Sequence, residues 1–377
     1  MRPEDRRVVA LLGFLHGTVH ANILSIPVFL LAWRSEFAAD DVTLGLLAAV
    51  TYGAYGLGAV PFGYLADRRS PSRLLLLCGM GIAASVAAVA ASPSIPLLAA
   101  SLVALGLFSG IYHPTGLSVI SRTVREQGRG MGWHGMGGSL GIASGPAYVT
   151  AAVALGWSWR LAAGLLVGPP LLAAALLMAV GLPPAPPEPA EDRPTAVRAL
   201  FTRPFVRILL VYMFAGFAYQ GGLTFLPRFV GSAPFAAALG LGAIGQVLSG
   251  TLADRRHPDR LLFVLSLVAA AILLFLALGP PYAVFVVAGL GFGFVLFSLE
   301  PLQNTLVTGE APRARRGLAF GFTFLSVFGI GSIGAALAGW LIAQNAAAAL
   351  FAILAACLAA SGGFALGVQS RRAASGR

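Results

Sequence analysis

Charged residues and cysteines are scarce in this 377-residue chain, and both shortages narrow what the protein can be. Only 10% of its residues are charged while 58% are hydrophobic, whereas soluble domains carry about 25% charged residues. This composition excludes a globular domain that covers its surface with polar groups. The two cysteines, Cys78 and Cys357, both lie within apolar stretches, so we expect neither a disulfide framework nor a thiolate metal site.

Long apolar runs dominate what is present. They recur along the whole chain at about 20 residues each, the length that crosses a hydrocarbon core of about 30 Å. The N-terminal MRPEDRR leads into the first run without a small-residue cleavage site, so we interpret it as mature chain rather than as a signal peptide. The sequence predicts an all-α integral membrane protein whose twelve spans lie at residues 8–32, 43–66, 73–92, 96–121, 130–154, 158–180, 205–230, 235–253, 260–279, 282–307, 317–343 and 346–368.

Lysine is absent, so all 25 basic residues are arginines. If both termini lie on one side of the membrane, that side receives every arginine except Arg34, Arg160 and Arg228. This one-sided excess is the positive-inside pattern and predicts that both termini are cytoplasmic. The formal net charge of +11 then reflects topology and contact with anionic headgroups, so we expect no nucleic-acid partner.

A charged turn occurs twice in the sequence, as GYLADRRSPSRLLL from Gly63 and as GTLADRRHPDRLLF from Gly250, which is 187 residues later. The same offset relates His113-Pro114 to Glu300-Pro301, and between the two copies a Pro-rich stretch, GLPPAPPEPAEDRP, breaks the apolar pattern. A repeat of this kind is typical of large secondary transporters. We predict an N-terminal six-helix half at 1–180, a cytoplasmic linker at 181–204 and a C-terminal six-helix half at 205–377.

The repeated turn has a physical rationale as a cytoplasmic gate motif. Its glycines permit close helix approach, and its acids can face a helix N-terminus or a neighbouring arginine, which could latch one transport state. The alternative is that the charges only enforce topology. The gate residues are Gly63, Asp67, Arg68 and Arg73 in the first copy, and Gly250, Asp254, Arg255 and Arg260 in the second.

Span five carries a stripe of small residues. Gly137, Gly141 and Gly145 are spaced by four, and Pro146 follows directly. The spacing favours tight packing against another helix, and the proline favours a bend.

Polar groups inside the spans are the candidates for function, since each ionisable one costs about 2.5–3.5 kcal/mol on insertion scales. Glu300 ranks first, because a lone carboxylate deep in a span is expected to exchange its proton near neutral pH. His113 holds the repeat-equivalent position. The alternative is that both only bond carbonyls freed by Pro114 and Pro301. The proton-coupling or substrate-binding candidates are His16, His20, Asn22, His113, Gln220, Glu300, Gln303 and Asn304, with His134 weaker.

The doubled G-x-L-A-D-R-R-x-P-x-R turn resembles the loop motif of the major facilitator superfamily. The resemblance implies two six-helix halves related by a pseudo-twofold axis and a substrate handled between them. GIASGP resembles the G-x-x-x-G-P motif of the family's antiporters, which export solutes against protons. LHGTVHANILSIPVFL and GIYHPTGLSVISR are similar to the fosmidomycin-resistance branch of drug exporters.

Three functions remain open from the sequence. The first is a proton-coupled exporter of a small organic or drug-like compound, and the second is an uptake symporter or uniporter for a small metabolite or anion. The third is a membrane-embedded enzyme that uses His16, His20 and His113 as metal ligands, although their spacing looks too loose for a compact site. No G-x-x-x-x-G-K-[ST] motif occurs. We therefore predict a monomeric inner-membrane transporter with no cofactor, no metal and no enzymatic activity.

Overall fold

The structure is a computed structural model that describes residues 1–66, 68–125, 127–183, 197–253, 256–312, 315–366 and 368, without the side chains of 121 and 127–129. Asp67, Asp254 and Arg255 of the gate motif lie outside the described residues. So does most of the Pro-rich stretch, at 184–196.

The first six spans follow one another through short turns. Asp40, in the turn before span two, accepts hydrogen bonds from Thr43, and these lower the pKa of its carboxyl group. Their helices are Pro3–Glu36, Asp41–Ala66, Pro71–Ala91, Ile95–Ser109 with Tyr112–Thr123, Gln127–Ala154, and Trp159–Leu165 with Gly168–Val180.

The second six spans follow a short 3-10 helix at Val197–Leu200. Span eleven is irregular, because a π-helix at Leu325–Ile330 separates two α-helical parts. The helices are Arg203–Val230, Ser232–Ala253, Pro258–Ala277, Tyr282–Glu310, Arg316–Phe324 and Ile333–Ala343 within span eleven, and Ala347–Ala365.

The predicted all-α membrane fold is confirmed. Within the described chain, eleven helices are both long and apolar enough to cross a bilayer. Span five is the twelfth, and its 28 residues make it about 42 Å long at 1.5 Å per residue. Its many glycines lower its hydropathy, which is why it is not among the eleven.

Two predicted boundaries differ from the structure for identifiable reasons. Span one begins at Pro3 rather than at residue 8, because a proline in the first turn followed by Glu4 and Asp5 favours a helix start. Span four, predicted as one helix, is interrupted at Gly110 and Ile111. Pro114 lacks an N–H and cannot bond back to Gly110, and glycine at that position is a poor helix former. The equivalent Pro301 has Phe297 four residues before it, and span ten stays continuous.

The two halves meet most closely where span two packs against span eleven. A Cβ on Gly45 would lie 2.7 Å from the Ala335 carbonyl oxygen, and one on Gly63 would lie 2.9 Å from that of Gly317. Only glycine allows such an approach of two backbones. Among the described residues, the repeat-equivalent Gly250 lacks such a neighbour, because its Cβ would meet Pro301 alone, at 3.6 Å.

An ion-pair cluster joins the halves at the membrane face opposite the termini. Asp41 at the start of span two pairs with Arg34 of span one and with Arg228 of span seven. Asp41 and Arg228 are separated by the repeat offset of 187, so the pair lies close to the pseudo-twofold axis. Arg160 pairs with Glu36 at 3.0 Å within the N-terminal half.

Candidate functional site

Four buried histidines meet inside the N-terminal half. His16 Nε2 lies 3.0 Å from His113 Nε2 and 3.0 Å from His20 Nε2. The His134 ring stacks on the His16 ring at 4.3 Å between centroids. All four side chains are less than 10% exposed. Spans one, four and five therefore bring together residues that are up to 118 positions apart in the sequence.

Local structure explains how these rings converge. His16 and His20 are four residues apart in span one, so they share one helical face. Span four restarts at Tyr112 after its interruption, which places His113 where Tyr55 of span two contacts its Nδ1 at 2.6 Å. Gly138 leaves room for the His16 ring, because a Cβ there would lie 2.6 Å from His16 Nδ1.

The hydrogen bonds assign the tautomer of His16. Its Nδ1 lies 3.1 Å from the backbone carbonyl oxygen of His134, and a carbonyl only accepts, so the proton is on Nδ1. Neutral His16 consequently presents a lone pair at Nε2, the atom toward which the Nε2 atoms of His20 and His113 converge. His20 Nδ1 is buried without a hydrogen-bond partner.

A cavity of about 50 Å³ lies between the two halves. His20 reaches it from the N-terminal half, and Glu300, Gln303 and Asn304 line it from span ten. His20 of span one and the predicted polar residues of span ten thus face one cavity at the interface of the halves. The other lining residues are Tyr212, Ala215, Tyr219, Leu296, Phe297, Leu299, Phe324, Val327 and Phe328.

Glu300 is tied to both halves through one glutamine. Gln246 of span eight donates from Nε2 to Glu300 Oε2 at 2.7 Å. Ser139 of span five donates to the Oε1 of the same glutamine. The carboxylate is therefore linked across the interface to the helix that carries His134.

The remaining candidates take different positions. Asn304 accepts a hydrogen bond from the Tyr212 hydroxyl at 2.8 Å, whereas Gln303 Nε2 has no hydrogen-bond partner in the described part of the chain. Asn22 donates to the Thr18 carbonyl in its own helix at 2.9 Å and leaves its Oδ1 unpaired. Gln220 is buried and is not among the residues that line the cavity.

His113 and Glu300 occupy different surroundings despite their equivalent repeat positions. The His113 ring packs on Phe324 of span eleven at 4.3 Å between centroids, and it belongs to the histidine cluster rather than to the cavity wall. Glu300 lines the cavity. The residues that bridge the two groups are His20 and Phe324.

The glycine stripe of span five lies against span one. A Cβ on Gly137, Gly141 or Gly145 would collide with the backbone of Gly13, Gly17 or Ala21 respectively, and Pro146 lies inside the helix. In the gate motif, Arg68 lies over the Tyr64 ring at 3.7 Å, while Arg73 and Arg260 are exposed.

Sequence reasoning missed the partners of the predicted residues. Gln246 is a polar residue within an apolar run, which is the signal that selected Gln220. The sequence could therefore have identified Gln246 as a candidate as well. Tyr55, Tyr112 and Ser139 carried no such signal, because tyrosine and serine are common in membrane helices. Tyr112 contacts His134 Nε2 at 2.8 Å, a pairing that only the fold reveals.

Known proteins with similar sequences are transporters. Residues 9–336 match the family model described as Major Facilitator Superfamily. Enterobactin exporter EntS of Escherichia coli O1:K1 / APEC is 31% identical over 339 residues, which cover 79% of this chain and 76% of that protein. EntS of Salmonella paratyphi A is 30% identical over 342 residues, which cover 79% of this chain and 77% of that protein.

A solved structure shows the same fold at lower identity. The bacterial homologue of the human lysosomal transporter Spinster, inward-facing and unoccupied, matches with a TM-score of 0.72 and 17% identity. The match covers 97% of this chain and 95% of that one. Together with the helices and the interface cavity, these matches establish that the chain belongs to the major facilitator superfamily and is a membrane transporter, not an enzyme.

Proposed function

We propose that this transporter is a proton-coupled exporter of a small organic or drug-like compound, working by alternating access. The observation that carries the proposal is the cavity between the halves, which the Glu300 carboxylate reaches from one half and His20 from the other. A buried carboxylate at such an interface is placed to exchange a proton each time the halves rock. The cavity, with a volume of about 50 Å³, holds only a few water molecules. The substrate must therefore bind when the transporter is in a more open state.

Each candidate residue receives a role in this proposal. Glu300 exchanges the proton, while Gln303 and Asn304 supply hydrogen bonds to the substrate from the same helix. His20 faces them from the opposite half, and His16 and His113 lie behind it in the histidine cluster. Asn22 and Gln220 each bury a polar atom that has no partner among the described residues and lie outside the cavity lining, so we propose them as substrate contacts in the more open state.

Export is supported by two features. The enterobactin exporter EntS is about 30% identical over most of its length. The stripe of Gly137, Gly141 and Gly145 packs span five directly on span one, and the motif that it resembles occurs in antiporters. The alternative is an uptake symporter or uniporter for a small metabolite or anion, which uses the same fold and the same cavity.

The arginine distribution supports an orientation with both termini cytoplasmic in a bacterial inner membrane, and we assign a monomer of two six-helix halves. The proposed gate motif then lies on the cytoplasmic side. We propose that Asp67 and Asp254 latch one transport state there. If an Asp67→Asn variant is expressed normally and transports at the wild-type rate, the proposed latch is wrong and the charges of the motif serve only to set the topology.

The direction of transport is tested with a compound panel that includes fosmidomycin and enterobactin. We expect cells that make the protein to hold less of a transported compound than cells that make the Glu300→Gln variant at equal level. Mass spectrometry of washed cells measures this content directly. Net accumulation in the wild-type cells would contradict export and select the uptake alternative.

A further inference from the structure

The three imidazoles of His16, His20 and His113 are arranged as metal ligands are. Each contributes one nitrogen, and these atoms all lie within 4.8 Å of one another. The Nε2 atoms of His20 and His113 both lie 3.0 Å from His16 Nε2. Two zinc–nitrogen bonds of about 2.0–2.1 Å at a tetrahedral angle hold their nitrogens about 3.3 Å apart. The two pairs that include His16 need to open by only a few tenths of an ångström, whereas the His20–His113 pair, within 4.8 Å, must close by up to about 1.5 Å, which rotation of the two rings about their side-chain bonds can supply.

Two of the three second ring nitrogens, those of His16 and His113, have the partners that metal-bound histidines use, whereas His20 Nδ1 has no partner among the described residues. A ligating imidazole usually donates its other N–H to a carbonyl, carboxylate or water, which fixes the tautomer and the ring orientation. His16 Nδ1 donates to the His134 carbonyl at 3.1 Å, and His113 Nδ1 lies 2.6 Å from the Tyr55 hydroxyl. Stacking of His134 and Tyr112 on the His16 ring holds its plane.

The third ligand connects the cluster to the transport cavity. His20 lines that cavity, so an ion on the three nitrogens is reached from the interface of the two halves. Three neutral imidazoles do not compensate a divalent charge, and they occupy only three of the four positions that zinc prefers. The open position is therefore suited to a water, or to an anionic donor that enters with the substrate.

We propose that His16, His20 and His113 form a binding site for a divalent transition-metal ion of the zinc class, with its open coordination position toward the central cavity. Imidazole ligation suits zinc, copper and nickel and disfavours calcium and magnesium. The site is independent of the direction of transport and of proton coupling. The sequence-based expectation of no metal site rested on spacing that looked loose, and the fold makes that spacing compact.

The test is zinc binding to the full-length protein in detergent, purified through a tag that contains no histidine. We expect one zinc per chain in a titration against a competing chelator. Loss of a hydrogen-bond partner of a metal ligand weakens metal binding by about 10–100-fold. Loss of a ligand itself should weaken zinc binding by more than this, and we expect that result for each of His16→Gln, His20→Gln and His113→Gln. Tyr55→Phe should fall within the range given for loss of a partner.

Two matched controls separate ligation from general damage. His257 is the one histidine outside the cluster, exposed at the start of span nine, and His257→Gln should bind zinc as the wild type does. His134→Phe retains the backbone carbonyl and a stacking ring, so it should still bind one zinc per chain. Equal loss in either control would overturn the assignment of the three ligands.

A measurement on the unmutated protein avoids reliance on variants that fail to fold. X-ray absorption of the zinc-loaded wild type should show three imidazole nitrogens at about 2.0–2.1 Å. Cobalt loading should give the visible bands of a four-coordinate site. Absence of stoichiometric binding, or fewer than three imidazoles on the ion, would show that the cluster is only a hydrogen-bonded histidine chain. Zinc binding is measured in detergent, where no proton gradient exists and no transport takes place. A failure to bind zinc would therefore leave the export proposal unaffected.

Discussion

The two halves place different chemistry at the same position of their repeat. His113-Pro114 and Glu300-Pro301 are 187 residues apart, yet span four breaks just before its proline while span ten runs unbroken from Tyr282 to Glu310. His113 joins other imidazoles, whereas the Glu300 carboxylate has Gln246 as its partner. The repeat therefore fixes where a polar residue stands, while the surrounding helices determine what it binds.

The helix packing shows the same divergence. Span two packs on span eleven through glycines, whereas the equivalent Gly250 of span eight lies in ordinary contact with Pro301. Polar atoms link spans five and eight instead, through Ser139 and Gln246. The halves therefore share a backbone plan and differ in how tightly their equivalent helices approach the other half.

The largest effect on transport is expected from the ion pair that joins the halves. Asp41→Asn removes the negative charge that pairs with both Arg34 and Arg228, and each such solvent-exposed pair contributes up to about 1 kcal/mol. We expect the transport rate to fall by up to about 30-fold at equal protein level. Glu36→Gln is the control, because its pair with Arg160 stays within one half. Equal effects of the two changes would contradict a role for Asp41 between the halves.

The histidine cluster is tested through a glycine that makes room for it. A Cβ on Gly138 would press on the His16 ring, so Gly138→Ala should weaken zinc binding by about 10–100-fold, as loss of ligand orientation does. Gly135 on the same helix has nothing within 4 Å of its Cβ position. Gly135→Ala should therefore bind zinc normally, and similar losses in both variants would point to helix damage instead.

The repeated gate glycines give a direct comparison of the halves. Gly63→Ala places a Cβ 2.9 Å from the Gly317 carbonyl oxygen, and overpacking of this kind costs about 1–3 kcal/mol, so we expect transport to fall about tenfold. Gly250→Ala meets only Pro301 at 3.6 Å and should transport normally. A large loss for Gly250→Ala would reveal a state in which spans five and eight close as spans two and eleven do here.

The smallest effect is expected at Ser139. Ser139→Ala removes its hydrogen bond to Gln246 but leaves Gln246 bonded to Glu300. A neutral hydrogen bond contributes about 0.5–1.5 kcal/mol, so the coupled transport rate should fall about two- to tenfold. Gln246→Leu should cost more, because it also removes the partner of the carboxylate. The reverse order would contradict the chain from Ser139 to Glu300.

The sequence was sufficient for the fold, and it proposed candidate residues without revealing which of them lie together. Apolar run length predicted the spans, and intramembrane polarity selected Glu300 and the histidines. Whether His113 would face Glu300 or His16 depends on the break in span four and on the approach of span one to span five. Both are tertiary effects, so the sequence alone could not show that His113 joins the histidine cluster rather than the cavity wall.

In the proposed mechanism, Glu300 of the C-terminal half, and not His113 of the N-terminal half, exchanges the coupled proton. This assignment is best tested by proton release from energised everted vesicles. Vesicles that carry the wild type, Glu300→Gln or His113→Gln receive the same compound panel while lumenal pH is recorded. We predict substrate-triggered release in the wild type, its loss in Glu300→Gln, and its retention per molecule transported in His113→Gln. Release that survives in Glu300→Gln would contradict the account and move coupling to the histidines.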